Sequence, residues 1–405
     1  MAPSRKSAKS YNGSMHDPLL RFRPEFPILD KTTYLISNSL GAMPRGVYDS
    51  LRAYAETWAT RGVRAWEEAW WMLGLEVGNE IGGMMNAPKD SVSLHQNVTQ
   101  CQAVVASCLD FSGRRNKVVY TDMNFPSVMY FWEAQRARGA RVHMIKTDDG
   151  IHVPLERFLD AIDEETLIVP FSHVIFRSSF IQDAKAIIEK AHKVGAYVLL
   201  DCFQSLGSGV HVDVSAWNAG FATGGVLKWL CGGPGTAYLY VRPDLIKKLN
   251  PSLTGWMGHE KPFHFEIGPI RYTNSIYKFT NGTPNIAAMH AARPGLKIVR
   301  EAGERPIREK SERLTAKIIT LADQRGWKVS APRNPAERGG TVAVDMPNSK
   351  EVCAELLKRD VLVDWRPGAG VRMSPHFYTK DEEIDTAFAV CDEILSHTAS
   401  QMTKT

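Results

Sequence analysis

The chain has 405 residues, 44% hydrophobic and 23% charged, with a net charge of +5 spread along its length. That is enough for two domains around a sizeable core, and mild basicity without a basic stripe points to anionic small molecules rather than nucleic acid. Six scattered cysteines (Cys101, Cys108, Cys202, Cys231, Cys353, Cys391) without C-x-x-C spacing read as reduced thiols of a cytoplasmic protein and argue against a metal site, and no apolar run reaches the roughly 18 residues of a membrane span.

The opening "MAPSRKSAKSYNGSMH" is basic, contains serine and lacks acids, so residues 1–16 are expected to be a disordered tail, and no signal peptide precedes the first strand. A segment at 17–50 follows, and residues 45–85 read as a long helical region whose Trp58, Trp66, Trp70 and Trp71 suit a core or interface. Strands and helices then alternate. "VSLHQN" is a strand and turn before the helix "VTQCQAVVASCLDF"; "NKVVYTD" is a strand; "PSVMYFWEAQRARGA" is a helix ending at Gly139; "RVHMIKT" is a strand. The rhythm continues through "TLIVPFSHV", the helix "DAKAIIEKAHKVG", the buried strand "AYVLLDC", and "GFATGG". Repeated β-α units of this kind predict an α/β fold with a mostly parallel, helix-covered sheet. Beyond about residue 290, "NIAAMHAARPGLKIVREAG" predicts a helix interrupted at Pro294, leading to a smaller α/β portion. The expected division is 17–50 joining the small domain, 51–290 as the large domain, and 291–405 as the small one.

In an open parallel sheet, ligands gather at the carboxyl ends of strands. Asp201 lies there, directly after "AYVLL", and a carboxylate so placed is costly to bury without a cationic partner. Lys228, 27 residues later, also sits between an apolar strand and a turn, where desolvation favours a neutral, nucleophilic amine. A direct Asp201–Lys228 salt bridge is the plain alternative. "LHQNVTQCQ" adds free backbone N–H groups where a strand turns into a helix, a place for a phosphate, although an ordinary capped helix reads the same way. An acid, a lysine and an anion pocket on one sheet describe a site for pyridoxal 5'-phosphate (PLP), with the lysine in Schiff-base linkage and the acid on the pyridinium nitrogen.

"NSLG" at 38–41, "NFPS" at 124–127, "SHV" at 172–174, "DCFQSLG" at 201–207, "LKWLCGGPG" at 227–235, "GWMGHE" at 255–260 and "GTP" at 282–284 together resemble kynureninase, in the class V branch of the fold-type I PLP enzymes. The resemblance covers nearly the whole chain after residue 17. It implies a homodimer with active sites at the subunit boundary, a large PLP domain with a seven-stranded sheet, and a small domain built from both chain ends. It also implies that Lys228 is the Schiff-base lysine, Asp201 the pyridinium partner and Phe125 the stacked ring. Asn97 and Val98 would cradle the phosphate, Ser172 would lie near the ring's polar edge, and Trp256, with Thr283 from the neighbouring subunit, would complete the phosphate pocket. Arg372 in "GVRMSP" resembles the substrate-carboxylate arginine, a role suited to a bidentate guanidinium. Ser39 and His259 would meet an aryl ketone, and Trp66, Trp256 and Phe377 an aryl group.

Three positions depart from the kynureninase pattern. Val128 stands where that family has aspartate, Leu227 where it has a phosphate-binding tyrosine, and Gln204 where it has histidine. Gln204 resembles instead the glutamine of cysteine desulfurases, which hydrogen-bonds the cofactor phenolate. The likeness implies hydrolytic Cβ–Cγ cleavage of kynurenine or a similar amino acid, as in tryptophan catabolism. An aminotransferase, an epimerase or racemase, or a β-eliminating lyase is the alternative.

Overall fold

The computed structural model describes residues 17–402; the tail expected at 1–16 lies outside the described residues. An amino-terminal strand β1 (Thr33–Tyr34) precedes seven strands, β2 (Val92–His95), β3 (Lys117–Thr121), β4 (Arg141–Ile145), β5 (Thr166–Ser172), β6 (Tyr197–Asp201), β7 (Phe221–Gly225) and β8 (Ala237–Val241). These seven form one sheet in the order β2-β8-β7-β6-β5-β3-β4. β7, β6, β5, β3 and β4 run parallel, and β8 is antiparallel to both neighbours. Every residue of β5, β7 and β8 is buried, as expected of strands covered on both faces. The sheet is therefore mixed but mostly parallel, and the α/β reading holds.

The carboxy-terminal part carries β9 (Lys328–Val329), β10 (Val342–Asp345), β11 (Val361–Leu362), β12 (Asp364–Arg366) and β13 (Gly370–Met373). β12-β13-β10-β9 make an antiparallel sheet, while β11 pairs in parallel with β1. Leu35 joins the apolar cluster of this sheet, and Arg23 grips Glu383 through both terminal nitrogens at 2.8 and 2.9 Å. The segment around Arg23–Leu35 thus packs with the carboxy-terminal part, and the segment between Ile36 and Gly41 is carried back onto the large sheet.

The helical region expected at 45–85 is present in segments, and one helical expectation is corrected. The region 45–85 is not one helix: α1 (Gly46–Arg61) ends at Gly62, whose φ of 55° is a left-handed conformation suited to glycine. A 3₁₀ turn and a π turn (Trp66–Trp70) then lead to α2 (Leu73–Gly83). Pro294, by contrast, does not interrupt its helix, which runs unbroken from Ile286 to Ala302. A helix-internal proline leaves the carbonyl four residues back without its donor; here that carbonyl, on His290, accepts the Ser50 hydroxyl at 2.6 Å. The helix also buries Met289, Ala292, Leu296 and Val299 in the same cluster as the large sheet, so packing favours its continuity.

Ser50→Ala should therefore leave the His290 carbonyl short of a partner and cost about 1 kcal/mol of stability. A lower melting temperature with unchanged secondary structure by circular dichroism is the expected result.

Candidate active site

Five loops leave the large sheet at one edge. Phe125 follows β3, Ser172 ends β5, Asp201 ends β6, Lys228 follows β7, and Asn97 follows β2. Ser172 and Asp201 are register partners. These residues line one cleft of about 250 Å³, together with Val98, Thr99, Ser127, Val128, Val174, Phe176, Phe203, Gln204 and Leu227.

Lys228 sits in a turn closed by two backbone bonds, Cys231 N–H to the Lys228 carbonyl at 3.0 Å and Gly232 N–H to the Val226 carbonyl at 2.8 Å. The amino-terminal segment clamps it from outside, where Gly41 N–H donates to the Leu227 carbonyl at 2.8 Å. A side chain at position 41 would put its Cβ 2.1 Å from the Lys228 carbonyl oxygen, so only glycine allows this approach. Trp229 fixes the other flank: its indole N–H donates to Gln204 Oε1 at 2.8 Å, and its carbonyl accepts His376 Nε2 at 2.8 Å. Burial pushes the His376 imidazole down to about 3, so the ring is neutral at that contact.

The ammonium of Lys228 lies 4.3 Å from the ring centroid of Phe203 and 5.5 Å from that of Phe125. Among the described residues it has no hydrogen-bonded or ion-paired carboxylate, so the direct salt bridge with Asp201 does not form. Burial lowers its pKa from 10.5 to about 8; Asp201 and Asp364 oppose that shift, while Arg372 and Arg366 reinforce it. Asp201, only 8% exposed, is raised above the usual carboxylate range by burial, against the pull of the Phe203 N–H, Lys228 and Ser172. Its Oδ1 accepts the Phe203 N–H at 2.9 Å. A buried carboxylate that charge does not balance at close range calls for a cationic partner in the cleft.

The other end of the cleft is the start of α3 (Val98–Ser107). Asn97 caps it by accepting the Gln100 N–H at 3.0 Å, and Gln100 returns its own side-chain oxygen to the Gln96 N–H at 3.0 Å. The Val98 and Thr99 N–H groups belong to the first turn, which has no acceptor within the helix, and both residues line the cleft. Gln204 spends one amide N–H on the Asn38 carbonyl at 3.0 Å and its oxygen on Trp229, leaving one N–H. A buried acid with no bonded cation, a buried amine of lowered pKa beside two rings and a helix start with unpaired N–H groups fit PLP. Leu227 and Val128 make apolar wall at this site, and neither supplies a polar group.

Arg372 and Ser39 lie together in a neighbouring cluster. Arg372, 2% exposed, forks onto Asp364 (Nε–Oδ1 2.7 Å, Nη2–Oδ2 2.5 Å) and donates through Nη1 to the Phe176 carbonyl at 2.6 Å. Ser39 donates to the same carboxylate at 2.6 Å. Trp256 and Thr283 are not brought to the Lys228 cleft within this chain; they line a separate pocket with Trp70, Trp71 and Tyr277. His259 accepts the Lys261 N–H at 3.0 Å and faces Glu266 at 3.7 Å, also outside the cleft. Trp66 also lies outside the cleft, edge to face with Trp70 and tilted against Trp71, and the expected aryl-binding role of Phe377 is corrected, since it is buried against Phe22 and Phe26. Sequence reading missed Phe203, Phe176 and Asp364. The turn position of Phe203, two residues after the strand-end acid, was the signal available.

The aminotransferase class-V family model matches residues 33–386. The chain is 31% identical over 379 residues to the uncharacterized aminotransferase YcbU of Bacillus subtilis (strain 168), covering 93% of this chain and 98% of that protein. It is 27% identical over 396 residues to a kynureninase of Bacillus thuringiensis subsp. konkukian (strain 97-27), covering 94% and 92%. The apo structure of a cysteine desulfurase from Thermococcus onnurineus NA1 superposes with a TM-score of 0.83 at 21% identity, covering 95% of this chain and 100% of that one, a likeness of fold.

In the cofactor-free protein, Lys228 binds fewer protons folded than unfolded between about pH 8 and 10.5. Stability therefore gains from this residue as pH rises through that window, and the cost of burying its charge applies in full below it. Denaturation of Lys228→Met across pH 7–10 should show the gain lost, with the variant more stable than the parent at pH 7.

Proposed function

The chain belongs to the aminotransferase class-V family of PLP enzymes, and within that family we propose that it hydrolyses the Cβ–Cγ bond of kynurenine or a kynurenine-like amino acid to alanine and an aromatic acid. The observation that carries this reading is the make-up of the Lys228 cleft. An amine with a pKa near 8 and a buried acid form its floor, and Phe125, Phe176, Val128, Val174 and Leu227 make a wall suited to an aryl group. Matches to kynureninases across most of the chain support the same choice.

When bound, the cofactor supplies an electron sink conjugated to the substrate α-carbon. Asp201 would hold a proton on the pyridine nitrogen, a role suited to a buried carboxylate with no bonded cation. Val98 and Thr99 offer first-turn N–H groups to the phosphate, with Asn97 fixing the helix start. Gln204 has one N–H left for the cofactor's phenolate oxygen, and Ser172 stands beside Asp201. Phe125 and Phe203 keep water from the amine. Lys228 would move the proton from the substrate α-carbon, and water added at the γ-carbonyl would leave in the aromatic acid as the Cβ–Cγ bond breaks and Cβ takes up a proton; an amine with a pKa near the working pH suits the proton transfers. Trp256, His259 and Thr283 enter this scheme only as residues of a second copy, in a homodimer with shared sites.

Transamination is the second reading. The match to a protein named as an aminotransferase and the apolar Val128 favour it.

L-Kynurenine incubated with the PLP-loaded enzyme should yield alanine and anthranilate in equal amounts, and Lys228→Ala should lower that yield by at least about 10³-fold. Amino transfer to a keto acid without anthranilate release would overturn hydrolysis in favour of the second reading.

A further inference from the structure

Gln204 lines the Lys228 cleft, yet its amide is held by two groups outside the cleft lining. Trp229, only 2% exposed, donates its indole N–H to Oε1 at 2.8 Å, and Nε2 donates to the Asn38 carbonyl at 3.0 Å. An indole nitrogen only donates and a carbonyl oxygen only accepts, so both contacts demand the same orientation of the amide. Turned over, it would set nitrogen against N–H and oxygen against oxygen, and both buried bonds would be lost.

The indole is itself seated by the carboxy-terminal part. The His376 ring meets it edge to face at 5.3 Å. His376, neutral because of its burial, donates through Nε2 to the Trp229 carbonyl at 2.8 Å. Trp229 is thus fixed at its backbone and at its ring where it meets Gln204, and a single Nε2–H of that amide is left to face the cleft.

We propose that Trp229 is a positioning residue for the cofactor: its indole N–H locks the Gln204 amide so that the remaining Nε2–H is presented to the phenolate oxygen of PLP. This rests on the reading that Gln204 meets that oxygen. An amide free to turn would also offer its own oxygen, which a phenolate repels. A donor stabilises the phenolate charge, so that oxygen holds the Schiff-base proton less strongly and the proton leaves at lower pH. Trp229 thereby tunes the proton affinity of the Lys228–cofactor link without touching the cofactor.

The test is a pH titration of the PLP-loaded enzyme by its visible absorbance, which reads the midpoint of Schiff-base deprotonation. Gln204→Leu should raise that midpoint by about one pH unit, the scale of one hydrogen bond to a charged oxygen. Trp229→Phe, which keeps an aromatic ring but no N–H, should raise it by at least half as much. In the Gln204→Leu background the same change should add nothing, because Trp229 acts through that amide. A residue that only packs would alter stability in both backgrounds and leave the midpoint where it was. If Trp229→Phe proves unfolded, 3-benzothienylalanine in place of Trp229, with sulfur where the indole has N–H, decides alone, and the same rise is expected. An unmoved midpoint once the N–H is removed, or an equal shift with and without Gln204, would overturn the role of Trp229. An unmoved midpoint in Gln204→Leu would refute the phenolate contact itself, and the proposal with it. Release of anthranilate from kynurenine is a separate measurement, so the hydrolytic reading can fail while these shifts are found.

Discussion

Asp201 and Lys228 are both buried at one edge of the large sheet, close enough to feel one another's charge and yet not bonded. A carboxylate raised above its ordinary range and an amine lowered to about 8 are two faces of the same desolvation. Had the two side chains formed an ion pair, the site would be electrostatically closed. Left apart, with the Phe203 N–H as the strongest local anchor of the acid, they keep a space whose charge is balanced only when a cationic ring nitrogen enters it.

The rest of the molecule keeps that separation in place. Gly41 lies directly on the Lys228 backbone, and Gln204 ties the turn after Asp201 to Asn38 and to Trp229. The segment that supplies Asn38, Ser39 and Gly41 is itself held by β1 against β11 and by Ile36 against Ser374. The small sheet therefore bears on the cleft through the amino-terminal segment as well as through Arg372 and Asp364. Movement of that unit would be felt at Ser39 and Phe176 before it reached the lysine.

Much of this was legible in the sequence, for a definite reason. Long apolar runs ending in a charged residue mark strand ends, and Asp201 and Lys228 announce themselves that way; the parallel sheet follows from the alternation around them. Other features depend on contacts that one-dimensional pattern does not carry. Pro294 reads as a helix break because nothing local reveals Ser50 behind His290. Phe377 reads as an aryl contact but packs on Phe22, while Phe203, which carries no signal beyond its turn position, lies against the lysine. Arg372 was found only through family likeness, and its engagement by Asp364, eight residues earlier across a hairpin, was not visible. Trp256, His259 and Thr283 lie away from the cleft in a single chain, so their assigned roles depend on a second copy.

The most direct test of the central claim is chemical. Reduction of the PLP-loaded enzyme with borohydride, followed by proteolysis and mass spectrometry, asks which amine is joined to the cofactor. The account predicts a phosphopyridoxyl group on the peptide containing Lys228 and on no other, with the yield sharply reduced in Asp201→Ala. A label on a different lysine, or none on a protein that binds the cofactor, would contradict it.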